Sequence, residues 1–129
     1  IGVGAGVASI LGQYRDELEV IRVNASEACG ASDQDGKLKN VRAQLWVGMR
    51  DWLKEGGAIP EDPKLEAELV APTYSFDAQG RLQIEAKDEL KRRLGRSTDR
   101  SDALALSIYA PAPAPKHGQR TRQYGGRRM

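Results

Sequence analysis

The chain has 129 residues, of which 29% are charged and 5% aromatic. That length fits one domain with a small core. No apolar run approaches the roughly 20 residues that a membrane-spanning helix needs. A single cysteine, Cys29, excludes an intrachain disulfide and fits a reducing compartment. The chain opens on Ile1 with no basic leader before its first apolar stretch, so it reads as a piece of a longer protein without a signal peptide.

The formal net charge of +2 is unevenly placed. Beyond Ala110 the charged side chains are Lys116, Arg120, Arg122, Arg127 and Arg128, with no acid among them. A basic end on a slightly acidic body fits either a polyanion partner such as nucleic acid or a solvated, disordered tail.

Taken in chain order, Gly2, Gly4 and Gly6 punctuate an opening loop. Val7, Ile10, Leu11 and Tyr14 then recur at helical spacing. Residues 18–23 alternate apolar and charged side chains with β-branched residues, the pattern of a strand. Residues 28–39 are polar and carry Ser32, Asp33, Asp35 and Gly36, which predicts a loop. Asn40 is placed to cap a helix whose stripe is Val41, Leu45, Met49 and Trp52, flanked by Trp46 and Leu53 and stopped by Gly56 and Gly57.

Pro60 and Pro63 bracket a turn, and residues 64–70 fit a short helix or an extended segment equally. Tyr74 and Phe76, the turn Asp77-Ala78-Gln79-Gly80, and Leu82 and Ile84 predict a β-hairpin. Residues 87–94 form a charged helix ended by Gly95, and residues 97–99 precede a final helix over 101–109. Pro111, Pro113 and Pro115 make a stiff linker to the basic tail. The expected division is therefore a folded body over 1–110 and a tail over 111–129. The interleaving of helices and strands indicates an α/β fold.

The candidate chemistry is narrow. The only histidine, His117, lies in the tail, so no Ser/His/Asp set or zinc cluster is available. The glycine loop lacks the Gly-Lys-Ser/Thr ending of a P-loop and a suitably spaced acid for a dinucleotide site. It fits tight packing at a helix start as well as a phosphate cradle. Asp99 and Asp102 share a face at the start of the last helix. Two such carboxylates either complement the helix dipole or share a hard divalent ion that relieves their repulsion. The apolar run Ala103, Leu104, Ala105, Leu106 and Ile108 sets Asp102 where a packed helix meets its acidic end. Lys87, at the start of the preceding helix, fits either a phosphate contact or a solvated side chain. Metal-assisted hydrolysis is the chemistry left open.

Several pieces, in this order, carry a resemblance. They are Gly2-Val3-Gly4-Ala5-Gly6-Val7 opening a helix, then Asn40-Val41-Arg42-Ala43-Gln44-Leu45-Trp46 opening a second with Leu53 near its end. Ile59-Pro60 and Leu65 to Leu69 follow, then a hairpin running into Ile84-Glu85-Ala86-Lys87-Asp88-Glu89. The last is Ser97-Thr98-Asp99-Arg100-Ser101-Asp102-Ala103-Leu104-Ala105-Leu106. Over roughly Ile1 to Tyr109 the chain resembles the C-terminal nuclease domain of phage large terminases. Thr98 stands where that family usually has proline.

The resemblance implies a partial ribonuclease-H-like fold, a mixed sheet flanked by helices and lacking its N-terminal strands. It implies three acids holding two Mg²⁺ or Mn²⁺ ions. Asp102 matches the acid of the last helix, Asp99 matches a nearby supporting position, and Lys87 matches a recurrent lysine of open role. The other two acids would precede Ile1.

The implied activity is two-metal cleavage of concatemeric double-stranded viral DNA in the host cytoplasm. The implied partners are an upstream ATPase domain, a portal and a small terminase subunit, with no membrane. This piece alone is expected not to cut. The alternatives are a non-catalytic DNA- or protein-binding module working through the basic tail, and another ribonuclease-H-like nuclease.

Overall fold

The structure, a computed structural model, describes residues 3–14, 16–30 and 35–110. The proline linker, the basic tail, Gly2, Ser32 and Asp33 lie outside the described residues. The elements are α1 (Val3–Leu11), a 3₁₀ turn (Gly12–Tyr14), α2 (Val41–Lys54), α3 (Pro63–Val70), β1 (Tyr74–Phe76), β2 (Leu82–Ile84), α4 (Lys87–Leu94) and α5 (Asp99–Ile108).

Helix α2 is the centre of the body. The Asn40 side chain accepts from the Ala43 amide at 3.1 Å, the expected cap. The two amides before that of Ala43 are taken by a loop that folds over the helix start. Val41 donates to the Glu27 carbonyl at 2.8 Å and Arg42 to that of Ala25 at 2.9 Å. The stripe Val41, Leu45 and Met49 is buried and meets Ala105 of α5. Val23, Trp46, Leu53, Leu69, Leu104, Ile108 and Tyr109 close the cluster's edges.

Trp52 was expected in that stripe but serves the helix end instead. Gly56 takes φ 102°. Gly57 donates to the Trp52 carbonyl at 2.9 Å and Gly56 to that of Leu53 at 3.2 Å, the paired bonds of a Schellman stop. A Cβ at Gly57 would overlap the Trp52 ring. Gly57→Ala should therefore cost about 1–3 kcal/mol, as overpacking does. The check is thermal unfolding followed by tryptophan fluorescence.

The ambiguous segment after Pro60 is helix α3. Asp62 accepts from the amides of Lys64 at 3.0 Å and Leu65 at 3.3 Å, and Pro63 occupies the first turn, where a missing N–H costs nothing. The hairpin forms as the alternation predicts. Its register pairs Tyr74 with Ile84, Ser75 with Gln83 and Phe76 with Leu82. Asp77 Oδ1 accepts the amides of Gln79 at 3.0 Å and Arg81 at 2.9 Å, and Gly80 takes φ 75°.

The expected mixed sheet is modest among the described residues. It is this antiparallel pair, extended by one parallel bridge from Leu38 to Leu82. Helix α4 runs to Gly95, which takes φ 78° and donates to the Lys91 carbonyl at 2.9 Å.

Three expectations change. The glycine stretch is not a loop, because α1 already includes Gly4 and Gly6. The last helix starts at Asp99 rather than Ser101. Residues 18–23 form no strand. Alternation supplies two faces, but a strand also needs a neighbour for its backbone groups, and none pairs with this segment among the described residues. Val23 alone reaches the core, while Leu18 and Ile21 stay exposed, as do Val7, Ile10 and Tyr14.

Candidate active site

Helix α5 lies against α2, and α4 begins immediately after β2. This brings three side chains from separate helices together. Asp102, in the first turns of α5, is 23% exposed. Its Oδ2 accepts from Lys87 Nζ at 2.5 Å and from Thr98 Oγ1 at 3.4 Å. Its Oδ1 is 4.0 Å from Arg42 Nη1. Asp102 and Lys87 thus meet directly, whereas the sequence suggests each only separately.

Asp99 sits differently. It is exposed and accepts from Ser97 Oγ at 2.7 Å. Among the described residues no side chain bridges it to Asp102.

Arg42 stands beside Asp102 in the candidate site, and sequence reasoning does not find it. Its side chain is only 12% exposed. Nε donates to the Glu85 carbonyl at 3.2 Å, and the guanidinium stands 6.0 Å from the centroid of the Trp46 ring. Nη2 is buried and has no hydrogen-bond partner among the described residues. Burial lowers the pKa of this guanidinium, opposed by the charges of Asp102 and Glu85. The available signal is its place in the first turn of a capped helix, but the residue alone is indistinguishable from a surface arginine.

Glu85 closes the strand that leads to Lys87. Its carboxylate accepts from Arg93 Nη2 at 2.6 Å and Nε at 3.1 Å, and from the Thr73 amide at 3.2 Å. Arg93, then Thr73, hold its pKa down at about 2, against an ordinary 4.5. A depressed carboxylate stabilises the fold fully above its unfolded pKa and loses that contribution as pH falls through the folded one. The tie between hairpin and α4 should therefore weaken between pH 4.5 and about 2. Glu85→Gln should flatten the acid limb of a melting-temperature-against-pH curve over that window.

The N-terminus of α5 is fixed from behind by α3. Glu68 is 1% exposed. Its Oε2 accepts from the Ser101 amide at 2.9 Å, and its Oε1 pairs with Arg96. Arg96 also donates to the Lys64 carbonyl at 3.1 Å, and Arg100 pairs with Asp62. Both oxygens of Glu68 are therefore committed, which makes it a brace rather than a ligand.

A divalent ion would find one hard oxygen donor here, Asp102, with two cations already beside it. Among the described residues no group of three His, Cys, Asp or Glu side chains could hold a metal. The described residues fit one ligand of a metal site but do not form the site by themselves.

The arrangement of helices and hairpin is similar to that of a solved nuclease domain. It matches the nuclease domain of the large terminase subunit gp2 of bacterial virus Sf6, with TM-score 0.65 and 25% identity over 86% of this chain. A mutant form of the same domain, solved with manganese and beta-thujaplicinol, aligns with TM-score 0.66 and 24% identity over 86% of the chain. Another, solved with calcium, aligns over 85% with TM-score 0.66. This chain spans 63% of the length of the Sf6 domain it matches. No protein-family profile matches the sequence, and no curated protein matches it by sequence. No helix among the described residues is long and apolar enough to cross a membrane.

Proposed function

We propose that the chain is the C-terminal portion of a ribonuclease-H-like nuclease domain of a phage large terminase. In this reading it helps cut double-stranded viral DNA by metal-assisted hydrolysis. The observation that carries the reading is Asp102, held at the start of α5 beside Lys87 and Arg42, within a fold like that of the Sf6 nuclease domain.

Asp102 would be one ligand of a Mg²⁺ or Mn²⁺ site. Asp99, three residues earlier on the same helix, would support it. The remaining acids would come from residues preceding Ile1. When bound, the ions would activate water and neutralise charge on the leaving oxygen. The chain's own contribution is positional. Thr98 and Lys87 orient the Asp102 carboxylate, and Lys87, 53% exposed, can turn its ammonium to a phosphate oxygen. The host cytoplasm, an upstream ATPase domain, a portal and a small subunit follow from the same reading.

The test is cleavage of supercoiled plasmid by a protein that carries this chain together with its preceding residues. Nicked and linear forms should appear with Mn²⁺ and vanish with EDTA, and the chain alone should not cut. Absence of cleavage with any divalent ion would sink the nuclease reading. The module would then be a binding one, served by the tail residues Lys116, Arg120, Arg122, Arg127 and Arg128.

A further inference from the structure

A groove of about 560 Å³ runs beside the candidate site. One wall is β2 and the start of α4, and the other is the loop at Ala25 and Ser26 with the start of α2. Its cations are Lys39, Arg42 and Lys87. Arg42 and Lys87 also line the adjoining cleft of about 150 Å³ that holds Asp102, so the groove continues from the site.

The three cations differ in their partners: Lys87 and Arg42 face Asp102 at 2.5 and 4.0 Å, and Lys39 is held differently. Across the body arginines are neutralised by carboxylates: Arg50 by Asp51, Arg81 by Asp77, Arg93 by Glu85 and Arg100 by Asp62. Lys39 is held instead by a neutral amide. Its Nζ donates to Gln83 Oε1 at 2.6 Å, and Gln83 Nε2 in turn donates to Ser75 Oγ at 3.0 Å. The ammonium is thus aimed without losing its charge. Arg42 is anchored through a backbone carbonyl and has a nitrogen with no hydrogen bond. Of the two acids in the lining, Glu85 is committed to Arg93 and Thr73, which leaves Glu89. With Asp102 counted as well as Glu89, three cations face two acids and the balance stays positive. The lining residues include no aromatic ring on which a base could stack.

We propose that this groove is a sequence-independent track for a phosphodiester backbone, in which Lys39 and Arg42 contact phosphates flanking the one placed at Asp102. The proposal deepens the nuclease reading and rests on it for the identity of the polyanion. It assigns Lys39 a binding role outside the catalytic group.

The test uses the full chain and a short DNA duplex in EDTA, so that no cleavage enters. Affinity is measured by fluorescence anisotropy across a salt series. Each phosphate contact contributes about 0.9 to the slope of log affinity against log salt. Lys39→Gln should therefore weaken binding severalfold at low salt and reduce the slope by about one, and Lys39→Arg should restore both. Lys54→Gln removes an equal charge from the far end of α2 and should leave the slope unchanged. Parental affinity and slope in Lys39→Gln would overturn the track, as would an equal loss in Lys54→Gln. Because the readout is binding without metal, it stays separate from cutting. If Asp102→Ala still cuts while Lys39→Gln loses its slope, the catalytic assignment fails and the track stands.

Discussion

Asp102→Ala should lower plasmid cleavage by at least about 100-fold, because even partners one shell beyond a metal's ligands cost 10- to 100-fold when removed. The loss should fall on turnover and on metal dependence, with little effect on DNA affinity measured in EDTA. Removing the carboxylate frees Lys87 and leaves Arg42 beside Glu85 alone, so the local positive charge rises. DNA affinity should then hold or increase, which a misfolded variant would not show. Asp99→Ala should cost less, because Asp99 is exposed and its carboxylate, among the described residues, accepts only from Ser97 Oγ. Gel quantification of supercoiled, nicked and linear plasmid over an Mn²⁺ series separates the two variants.

Arg96→Ala should destabilise the body strongly, by up to about 3–5 kcal/mol, the loss seen when a buried charge is left without its partner. The two halves of this pair are not equivalent. Glu68 is 1% exposed, whereas the Arg96 side chain is 38% exposed. Deleting Glu68 frees an arginine that can turn to water, but deleting Arg96 strands a carboxylate in the interior with only the Ser101 amide. Glu68→Ala should therefore cost less than Arg96→Ala, and the double variant less than the sum. Urea unfolding of the four proteins gives the comparison. Equal losses in the two single variants would mean that Glu68 is not dry in solution.

What could be read before the structure was mostly local. Asn40, the pair Gly56 and Gly57, the turn from Asp77 to Gly80 and the stop at Gly95 each satisfy backbone groups within a few residues, so their chemistry shows in short stretches of sequence. Helix α3 was ambiguous, although Asp62 and Pro63 are a good helix start. Its eight residues are too few for a clear period. Residues 18–23 misled because alternation is local and strand pairing is not.

The geometry of the candidate site was only half legible. Asp102, Asp99 and Lys87 stood out by residue type and order, but the 2.5 Å contact of Lys87 with Asp102 joins α4 to α5 and depends on both packing around α2. Arg42 and Glu68 were missed for the same reason. Their roles come from partners 43 and 33 residues away, the Glu85 carbonyl and the Ser101 amide. A buried charge is invisible in sequence until its partner is known.

In the proposed nuclease, Asp102 would hold a divalent ion when DNA is cut. The most direct measurement is an Mn²⁺ titration of the isotope-labelled protein, with its preceding residues present, followed by amide NMR. Paramagnetic broadening should appear first at Thr98, Ser101 and Asp102 and at Lys87, and should disappear from them in Asp102→Ala. Broadening that starts elsewhere, or that survives at these amides in the variant, would contradict the claim.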